Sequence, residues 1–321
     1  MVLIISLEQD DSTVDVLKWL DYYNISYFII NEFSCIERIS YENGEIIIIV
    51  DKIKLNFKNI HFVWYRKGNL AFKNVNISGA DKLKKEIKAI CKYENDTLLE
   101  LLYYKLEHIE NISSYNYSQI NKLLALEKAL EFGLNIPDYL VCNTKKELEV
   151  FYQKHNDGII NKVLNYPIEY YEDSYWLPSY TEEISLQKLK YFPKEFLSSF
   201  FQEKIKKKYE IRSVYLKGKF YSMAIFSQNN KQTEIDFRKY DYEKPNRRVP
   251  FLLPRYIENK TKKLVEYFNL RFCSVDFIVT PKQRYVFLEI NPLGQFGMTS
   301  LPCNYYLEKQ IALLMKKNNY E

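Results

Sequence analysis

The sequence predicts a mixed α/β protein with two or three domains. Short apolar strand patterns alternate with amphipathic helix patterns along the 321 residues, which are 47% hydrophobic and 27% charged. The longest unbroken aliphatic run, Ile46 to Val50, is too short to cross a bilayer. The N-terminus has neither the basic region nor the cleavage site of a signal peptide, so we expect it to be a strand. No membrane partner is expected.

Charge, cysteine and glycine content narrow the possible functions. The net charge of +5 is modest and spread along the chain, which suits nucleic acid, a nucleotide or an acidic peptide. The five cysteines are odd in number and scattered, which argues against a disulfide framework or a zinc site and favours a cytoplasmic location. There are only 8 glycines and no GxxxxGK[ST] or GxGxxG motif, so any ATP site lacks a P-loop.

Residues 1–117 are predicted to form a small N-terminal α/β domain. An Asn-Gly hairpin signal lies between two of its strands, and apolar residues in helical register predict one long helix. The main predicted elements are strands at Val2 to Leu7, Tyr27 to Ile30 and His61 to Lys67, and a helix from about Gly79 to Ile109.

Two further units, 118–195 and 196–321, are predicted to follow. The second unit begins with a helix capped by Ser118 and has a strand that ends near Lys162. The stretch from Asn165 to Glu183 is rich in Tyr, Glu, Asp and Pro, and we expect a mobile loop there. The third unit contains further strands, a basic segment and a C-terminal hairpin.

The C-terminal hairpin carries three oxygen ligands. Two β-rich runs flank a short turn, and we expect Thr280 to pair with Tyr285. That register places Asp276 opposite Glu289, and cross-strand partners have Cβ atoms about 5 Å apart. Asn291 lies two residues beyond Glu289, so it shares the same face. Magnesium favours such a group when phosphates supply more oxygens. The plain alternative is an acidic surface hairpin.

Other polar residues precede this hairpin in a definite order. Each is weak evidence alone, because a lysine at a strand end is usually a solvated tip. In chain order they are Lys122, Lys162, Gln202-Glu203-Lys204-Ile205, Glu210-Ile211-Arg212 and Asp236-Phe237-Arg238, followed by Asp276, Glu289 and Asn291. As an ordered set, they resemble the catalytic core of the ATP-grasp superfamily, from roughly Ser118 to Glu308.

The resemblance implies an ATP-grasp fold with an N-terminal pre-ATP-grasp domain, and it implies ATP and Mg²⁺ as cofactors. Two α+β units of this family clasp the nucleotide between them. The resemblance implies that the nucleotide phosphates are bound by Lys122 and Lys162, and that the metal is held by Asp276, Glu289 and Asn291. It implies an adenine-binding hinge formed by Gln202, Glu203, Lys204 and Ile205, and a ribose contact from Glu210. The γ-phosphate or acyl phosphate would be contacted by Arg212, Arg238 and Asn246.

A narrower resemblance is to the graspetide maturases, both the microviridin-type and the grasp-with-spasm enzymes. It rests on Val63-Trp64-Tyr65-Arg66-Lys67, on Ser227-Gln228 leading to Asp236-Phe237-Arg238, and on Leu288 to Phe296. It implies a ligase that activates Asp or Glu side chains as acyl phosphates and joins them to Ser or Thr hydroxyls, or to Lys amines. The products are macrocyclic esters or amides of a ribosomal precursor peptide.

The implied partner is a precursor peptide with a leader and a core rich in acidic and hydroxyl residues, and not nucleic acid. Arg66, Arg247 and Arg248 would contact its carboxylates, and the segment from Tyr166 to Phe200 is a candidate leader site. The plain alternative for Arg247 and Arg248 is that they lie in a solvated loop. The resemblance also allows a homodimer.

Two other functions stay open from the sequence. One keeps the fold but adds free amino acids to a peptide or protein carboxylate, as the ribosomal-protein glutamate ligases do. The other is a nucleotide- or peptide-binding module without turnover. The metal set of Asp276, Glu289 and Asn291 argues against the module, because non-catalytic relatives often lose a metal ligand.

Overall fold

A computed structural model of the chain describes residues 1–165, 169–172, 175–178, 181–228, 241 and 243–316. The chain forms two compact units. The first unit consists of residues 1–119, 270–272 and 292–321, and the second of 120–269 and 273–291. Among the described residues, no helix has the length and apolar character needed to cross a bilayer.

The strands, in chain order, are β1 (Val2–Ile5), β2 (Tyr27–Ile30), β3 (Ile36–Glu42), β4 (Glu45–Val50), β5 (Ile53–Asn56), β6 (Phe62–Tyr65), β7 (Tyr139–Thr144), β8 (Ile159–Lys162), β9 (Glu169–Glu172), β10 (Tyr175–Pro178), β11 (Glu182–Ile184), β12 (Glu195–Glu203), β13 (Tyr209–Leu216), β14 (Lys219–Phe226), β15 (Arg247–Phe251), β16 (Phe272–Val279) and β17 (Tyr285–Asn291). The helices are α1 (Asp11–Tyr22), α2 (Asp81–Glu107), α3 (Lys122–Glu131), α4 (Lys145–Lys154), α5 (Leu186–Tyr191), α6 (Arg255–Tyr267), α7 (Gly297–Cys303) and α8 (Leu307–Leu314).

The first unit contains two small sheets. One is parallel in the order β2-β1-β6, and the other is antiparallel in the order β3-β4-β5. The turn between β3 and β4 follows the predicted Asn-Gly signal, because Asn43 and Gly44 both have positive φ (49° and 80°). The buried residues of these strands pack with Leu102, Tyr103 and Leu106, near the end of α2.

The second unit contains a four-stranded sheet, β11-β8-β12-β7, and a five-stranded sheet, β15-β14-β13-β16-β17. Thr144 caps α4, since its side chain accepts a hydrogen bond from the Glu147 amide. The predicted Ser118 cap is wrong. Asn121 caps α3 instead, because its side chain accepts from the amides of Leu123 and Leu124.

The stretch predicted to be a mobile loop, Asn165 to Glu183, contains regular structure among its described residues. Strands β9 and β10 form an antiparallel hairpin in which Tyr175 pairs with Glu172. Strand β11 then pairs with β8. The Tyr and Trp residues of the stretch from Asn165 to Glu183 are typical of strands. The sequence-based prediction gave more weight to its charged residues and prolines.

Candidate functional site

Hairpin β16–β17 places the predicted carboxylates opposite each other. Asp276 pairs with Glu289, as predicted. The predicted turn register is wrong by one residue, because Tyr285 pairs with Val279 and not with Thr280. A β-bulge next to Asp276 makes up the difference, so that the pairing beyond it matches the prediction. Asn291 closes β17 opposite Ser274.

Arg212 joins β13 to this hairpin. Its Nη1 lies 3.8 Å from Oδ2 of Asp276, and its Nη2 donates to Oγ of Ser274 at 3.1 Å. Arg212 is 8% exposed and Asp276 is 9% exposed, so water screens their attraction poorly. Among the described residues, Nε of Arg212 has no hydrogen-bond partner although it is buried. The guanidinium therefore retains a donor for an anion.

Glu210, two residues before Arg212 on β13, lies in a buried polar cluster. Nζ of Lys207 donates to Oε1 of Glu210 at 2.6 Å, and Oγ of Ser227 donates to the same oxygen at 2.9 Å. Lys207 and Glu210 are 8% and 7% exposed. The sequence-based prediction missed Lys207, because nothing in the Lys206-Lys207-Lys208 run distinguishes one lysine from the next.

Strand register places many of these side chains on one face of the five-stranded sheet, since paired residues of adjacent strands point the same way. Ile225 of β14 pairs with both Glu210 and Arg248, so Arg248 shares the face of Glu210. Arg247 alternates to the opposite face, where its guanidinium lies 5.7 Å from the centre of the Phe226 ring. The two adjacent arginines therefore do not act on one ligand from the same face of the sheet.

The two predicted phosphate-binding lysines lie at one end of strand β8. Lys162 is its last residue, as predicted. Lys122 is the first residue of α3, and its Nζ donates to the carbonyl oxygen of Val163 at 2.7 Å. Both side chains are half-buried. The structure thus brings these two cations to the same strand end, although 40 residues separate them in the sequence.

The predicted hinge lies at the end of β12. Gln202 is 1% exposed, and its Oε1 is buried without a hydrogen-bond partner among the residues that the structure describes. The amide of Glu203 donates to the Asp138 carbonyl, and the amide of Lys204 donates to the Gly158 carbonyl, both at 2.9 Å. These two amides are engaged within the protein. An adenine contact to either amide would have to displace that bond.

Arg66, predicted to contact the peptide, is 1% exposed in the first unit. Its Nε lies 3.3 Å from Oδ1 of Asp10, and its Nη1 donates to the Leu293 carbonyl at 2.5 Å. Lys67 contacts the other oxygen of Asp10 at 2.9 Å. Burial raises the pKa of Asp10, but the charges of Arg66 and Lys67 and the Thr13 amide outweigh it and lower the pKa to about 2. Arg66 therefore belongs to a buried ion pair and does not form an exposed peptide contact.

Two further residues, Arg238 and Asn246, were predicted to contact the γ-phosphate or acyl phosphate. Arg238, with Asp236 and Phe237, lies outside the described residues. Asn246 is half-buried and immediately precedes β15. The prediction also missed Ser274, although its position two residues before Asp276 on one strand could have indicated the shared face.

The side chains present fit a magnesium nucleotide. Among the described residues, no three His, Cys, Asp or Glu side chains form a metal cluster. Magnesium needs only one or two protein carboxylates when phosphates complete its shell, and the paired Asp276 and Glu289 with Asn291 supply that. The buried Nε of Arg212 and Oε1 of Gln202 lack partners among the described residues, which is consistent with a polar ligand.

Comparisons with solved structures identify the fold. No protein-family model and no curated protein matches the chain. Among solved structures, macrocyclase MdnC of Microcystis aeruginosa MRC, bound with precursor peptide MdnA, is 26% identical, with a TM-score of 0.76 over 98% of this chain and 99% of that chain. The chain has the fold of the ATP-grasp ligases. Their fold recurs in the RiPP-associated ATP-grasp ligase of Chryseobacterium gregarium, solved with ADP and a leader and core peptide. That ligase is 24% identical, with a TM-score of 0.77 over 98% of this chain and 96% of that chain.

The same fold is found in macrocyclase MdnB of Microcystis aeruginosa MRC. It is 19% identical, with a TM-score of 0.72 over 99% of both chains. The likeness to MdnC and MdnB covers nearly the whole length of all three chains. The chain therefore shares the fold of its N-terminal unit, as well as that of the remaining chain, with these two macrocyclases.

Proposed function

We propose that this ligase is an ATP- and Mg²⁺-dependent maturase of a ribosomal precursor peptide. It activates Asp or Glu side chains and joins them to Ser or Thr hydroxyls, or to Lys amines, as macrocyclic esters or amides. The observation that carries the proposal is the polar face of the five-stranded sheet, where Arg212 meets the Asp276–Glu289 pair. The whole-length similarity to a macrocyclase bound with its precursor peptide supports the choice of substrate.

Different residues would bind the phosphates of ATP and stabilise the transferred phosphoryl group. Lys122 and Lys162 would hold the phosphates as point charges, and Arg212 would stabilise the charge on the transferred phosphoryl group. Asp276, Glu289 and Asn291 would hold the metal, which would offset the negative charge of the phosphates. Arg248 would face the acidic core of the peptide. Arg238 and Asn246 remain proposed contacts to the transferred group.

The proposed chemistry balances without a covalent intermediate on the protein. A side-chain carboxylate oxygen of the peptide attacks the γ-phosphorus of ATP, which gives ADP and an acyl phosphate. A hydroxyl or amine of the same peptide then attacks the acyl carbon. Inorganic phosphate leaves with one oxygen of the original carboxylate, and the nucleophile loses a proton. Each crosslink therefore costs one ATP and removes one water from the peptide.

Oxygen labelling of a precursor peptide tests this route. Genes beside that of the ligase are searched for a short peptide rich in Thr, Ser, Asp and Glu. The peptide is made with ¹⁸O in its side-chain carboxylates and incubated with enzyme, ATP and Mg²⁺. Mass spectrometry should show one water lost per crosslink, ADP formed, and ¹⁸O in the inorganic phosphate. Label found in AMP would refute the acyl-phosphate step.

The other outcomes point to the alternatives. If free amino acids are supplied and the peptide gains their mass, the enzyme is a ligase of the glutamate-adding type. If the peptide binds but neither ADP nor a modified peptide forms, the chain is a binding module. The Glu289→Gln variant serves as the control in every reaction, because it keeps the size of the side chain but removes its charge.

We also propose that this ligase is a homodimer, which the resemblance to the graspetide maturases allows.

A further inference from the structure

Three aromatic rings form a platform on the surface of the first unit. Trp19, Tyr22 and Tyr23 lie at the end of α1, at spacings that place them on one side of the helix. The ring centres of Trp19 and Tyr22 are 5.6 Å apart, and those of Tyr22 and Tyr23 are 5.1 Å apart. These ring contacts hold the three side chains together. Tyr22 is 72% exposed, so the platform faces solvent.

Two lysines at the C-terminal end of the first unit lie over these rings. Helix α8 packs beside α1, and Nζ of its Lys309 is 5.3 Å from the centre of the Trp19 ring. Nζ of Lys316, just after α8, is 6.0 Å from the centre of the Tyr23 ring. A ring face attracts an ammonium group but does not neutralise its charge. Among the described residues, neither lysine forms an ion pair with a carboxylate. Both positive charges are therefore available to an anion.

The rings and lysines border an open surface cavity of about 580 Å³. Its lining residues are Lys18, Trp19, Tyr22, Tyr23 and Lys309. A volume of about 300–1,000 Å³ is typical of ligand sites. Lys18 contacts Asp15 at 2.7 Å, so its charge is already offset. The lining combines ring faces with a cation and contains no carboxylate. It suits a ligand that has both an apolar group and a negative charge.

The spacing of the two lysines favours a short acidic peptide. Lys309 and Lys316 are seven residues apart, which is two helical turns and an axial rise of about 10 Å. An extended peptide advances about 3.3 Å per residue, so carboxylates about three residues apart can reach both ammonium groups. An apolar side chain between those carboxylates then lies on the rings.

A nucleic acid fits this surface less well. Its affinity comes mainly from many phosphate contacts along a basic track. Here two lysines are available, and α1 carries the acidic side chains of Asp11, Asp15 and Asp21. A long polyanion would meet these aspartates, whereas a short peptide segment contacts only the rings and the two lysines.

We propose that Trp19, Tyr22, Tyr23, Lys309 and Lys316, the aromatic–lysine site, bind an acidic peptide segment that carries an apolar side chain. The segment belongs to the precursor peptide, and this second contact keeps the peptide on the enzyme between successive crosslinks. The assignment to the precursor rests on the proposed function. The binding of an acidic peptide does not.

Tryptophan fluorescence tests the binding, because Trp19 lies in the site. The probe is the blocked peptide Glu-Leu-Glu-Phe-Glu, which contains no tryptophan. It should change the fluorescence of the full chain saturably, and the Trp19→Phe variant should show no such change. The peptide Gln-Leu-Gln-Phe-Gln should bind at least roughly tenfold more weakly, because it lacks the charges. The absence of saturable binding, a signal that persists in Trp19→Phe, or equal affinities for the two peptides would overturn the proposal.

Charge changes test the two lysines. Lys309→Glu with Lys316→Glu should weaken binding of the acidic probe at least roughly tenfold, with an unchanged circular dichroism spectrum. The matched control is Lys262→Glu with Lys263→Glu, which changes the net charge equally at two exposed positions of α6 in the second unit. Equal losses in the two double variants would refute a local site. The milder Lys309→Gln with Lys316→Gln should bind the Glu and Gln peptides equally well, and a preserved preference for Glu would exclude both lysines.

Single-stranded oligo(dT) is the competing probe, because its bases can also stack on aromatic rings. At the same salt concentration, the acidic peptide should bind the aromatic–lysine site more tightly than oligo(dT) does. Tighter binding of oligo(dT), observed through Trp19 and lost in the Lys309→Glu, Lys316→Glu variant, would overturn the proposal and identify a nucleic-acid site.

Kinetics with the precursor peptide separate this inference from the proposed function. The Lys309→Glu, Lys316→Glu variant should raise the KM for the precursor by about tenfold and change kcat by less than about twofold, because the site binds substrate without contacting the reacting atoms. If the wild type makes crosslinks and the variant has an unchanged KM, the role in substrate binding is refuted and the proposed function stands. If the wild type binds the acidic probe at Trp19 but makes no crosslink, the proposed function fails and the peptide site stands.

Discussion

Replacing Asp10 by Asn should destabilise the first unit substantially. Asp10 is buried between Arg66 and Lys67, and it also caps α1 through the hydrogen bond from the Thr13 amide. Asparagine is as good a cap as aspartate, so the substitution keeps that bond and the size of the side chain. The change therefore isolates the charge of Asp10. The same charge orients Arg66, which donates to the carbonyl of Leu293, two residues after the end of β17.

The pKa of Asp10 gives the magnitude. It falls from 3.8 to about 2 on folding, and each unit of pKa corresponds to about 1.4 kcal/mol. The charged carboxylate thus contributes about 2 kcal/mol at neutral pH. Breaking a buried ion pair by removing one partner costs about 3–5 kcal/mol, because the other charge stays buried. Lys67 and the Leu293 carbonyl remain near the site, so we expect a loss of about 2–4 kcal/mol.

The pH dependence has a definite sign. A carboxylate with a lowered folded-state pKa stabilises the protein fully above its unfolded-state pKa and loses that effect as the pH falls through the folded-state value. The difference between wild type and Asp10→Asn should be constant from pH 7 to about 5 and should shrink as the pH falls from about 4 to 2.

Urea-induced unfolding followed by tryptophan fluorescence measures this difference, since Trp19 and Trp64 both lie in the first unit. The control is Asp15→Asn on the same helix, where Asp15 pairs with the exposed Lys18. That surface pair should contribute less than about 1 kcal/mol. Equal losses in the two variants, or a loss for Asp10→Asn that persists unchanged to pH 3, would refute the reasoning.

Three predictions concern residues of the proposed active site. Glu289→Gln should lower ADP formation at least roughly a hundredfold while fluorescence anisotropy shows unchanged peptide binding; unchanged turnover would remove Glu289 from the mechanism. Lys122→Met should raise the KM for ATP by about tenfold, because a charged phosphate contact is lost. Lys128→Met on the same helix should leave the KM for ATP unchanged. Equal effects of the two substitutions would contradict the proposal that Lys122 binds phosphate. Arg248→Ala should lower kcat/KM for the peptide by about tenfold. Arg247→Ala should lower it by less than twofold, because the two side chains lie on opposite faces of the sheet. A larger effect of Arg247→Ala than of Arg248→Ala would exclude Arg248 as a peptide contact.

The sequence was sufficient to predict the pairing of Asp276 with Glu289, because alternation along two short strands leaves few registers. It could not predict the bulge that produces this pairing. A bulge depends on backbone hydrogen bonds and tertiary packing, and its only trace in the sequence is one additional residue. The predicted pairing of Asp276 with Glu289 is therefore correct, although the predicted turn register, with Thr280 opposite Tyr285, is wrong by one residue.

Other features depend on contacts that are distant in the sequence. Arg66 immediately follows β6, and residues at strand ends are often exposed, so the sequence predicted a ligand contact. Asp10 and Leu293 bury it, from positions 56 residues before and 227 residues after it. Lys207 likewise lies within a run of three lysines, and only the folded position of Glu210 and Ser227 distinguishes it. Local patterns predicted which residues are polar, whereas tertiary packing determines which of them are buried.

The pattern of charge on the five-stranded sheet explains why this face suits phosphoryl transfer. Lys207 contacts Glu210, and Arg212 lies beside Asp276, so each buried carboxylate has a cation within 4 Å. In a buried site, water does little to weaken the attraction between opposite charges this close. In the proposed function, such a face would present fixed charged groups to a metal and to phosphate oxygens. It would then stabilise developing charge through groups already in place, without a nucleophilic side chain of its own.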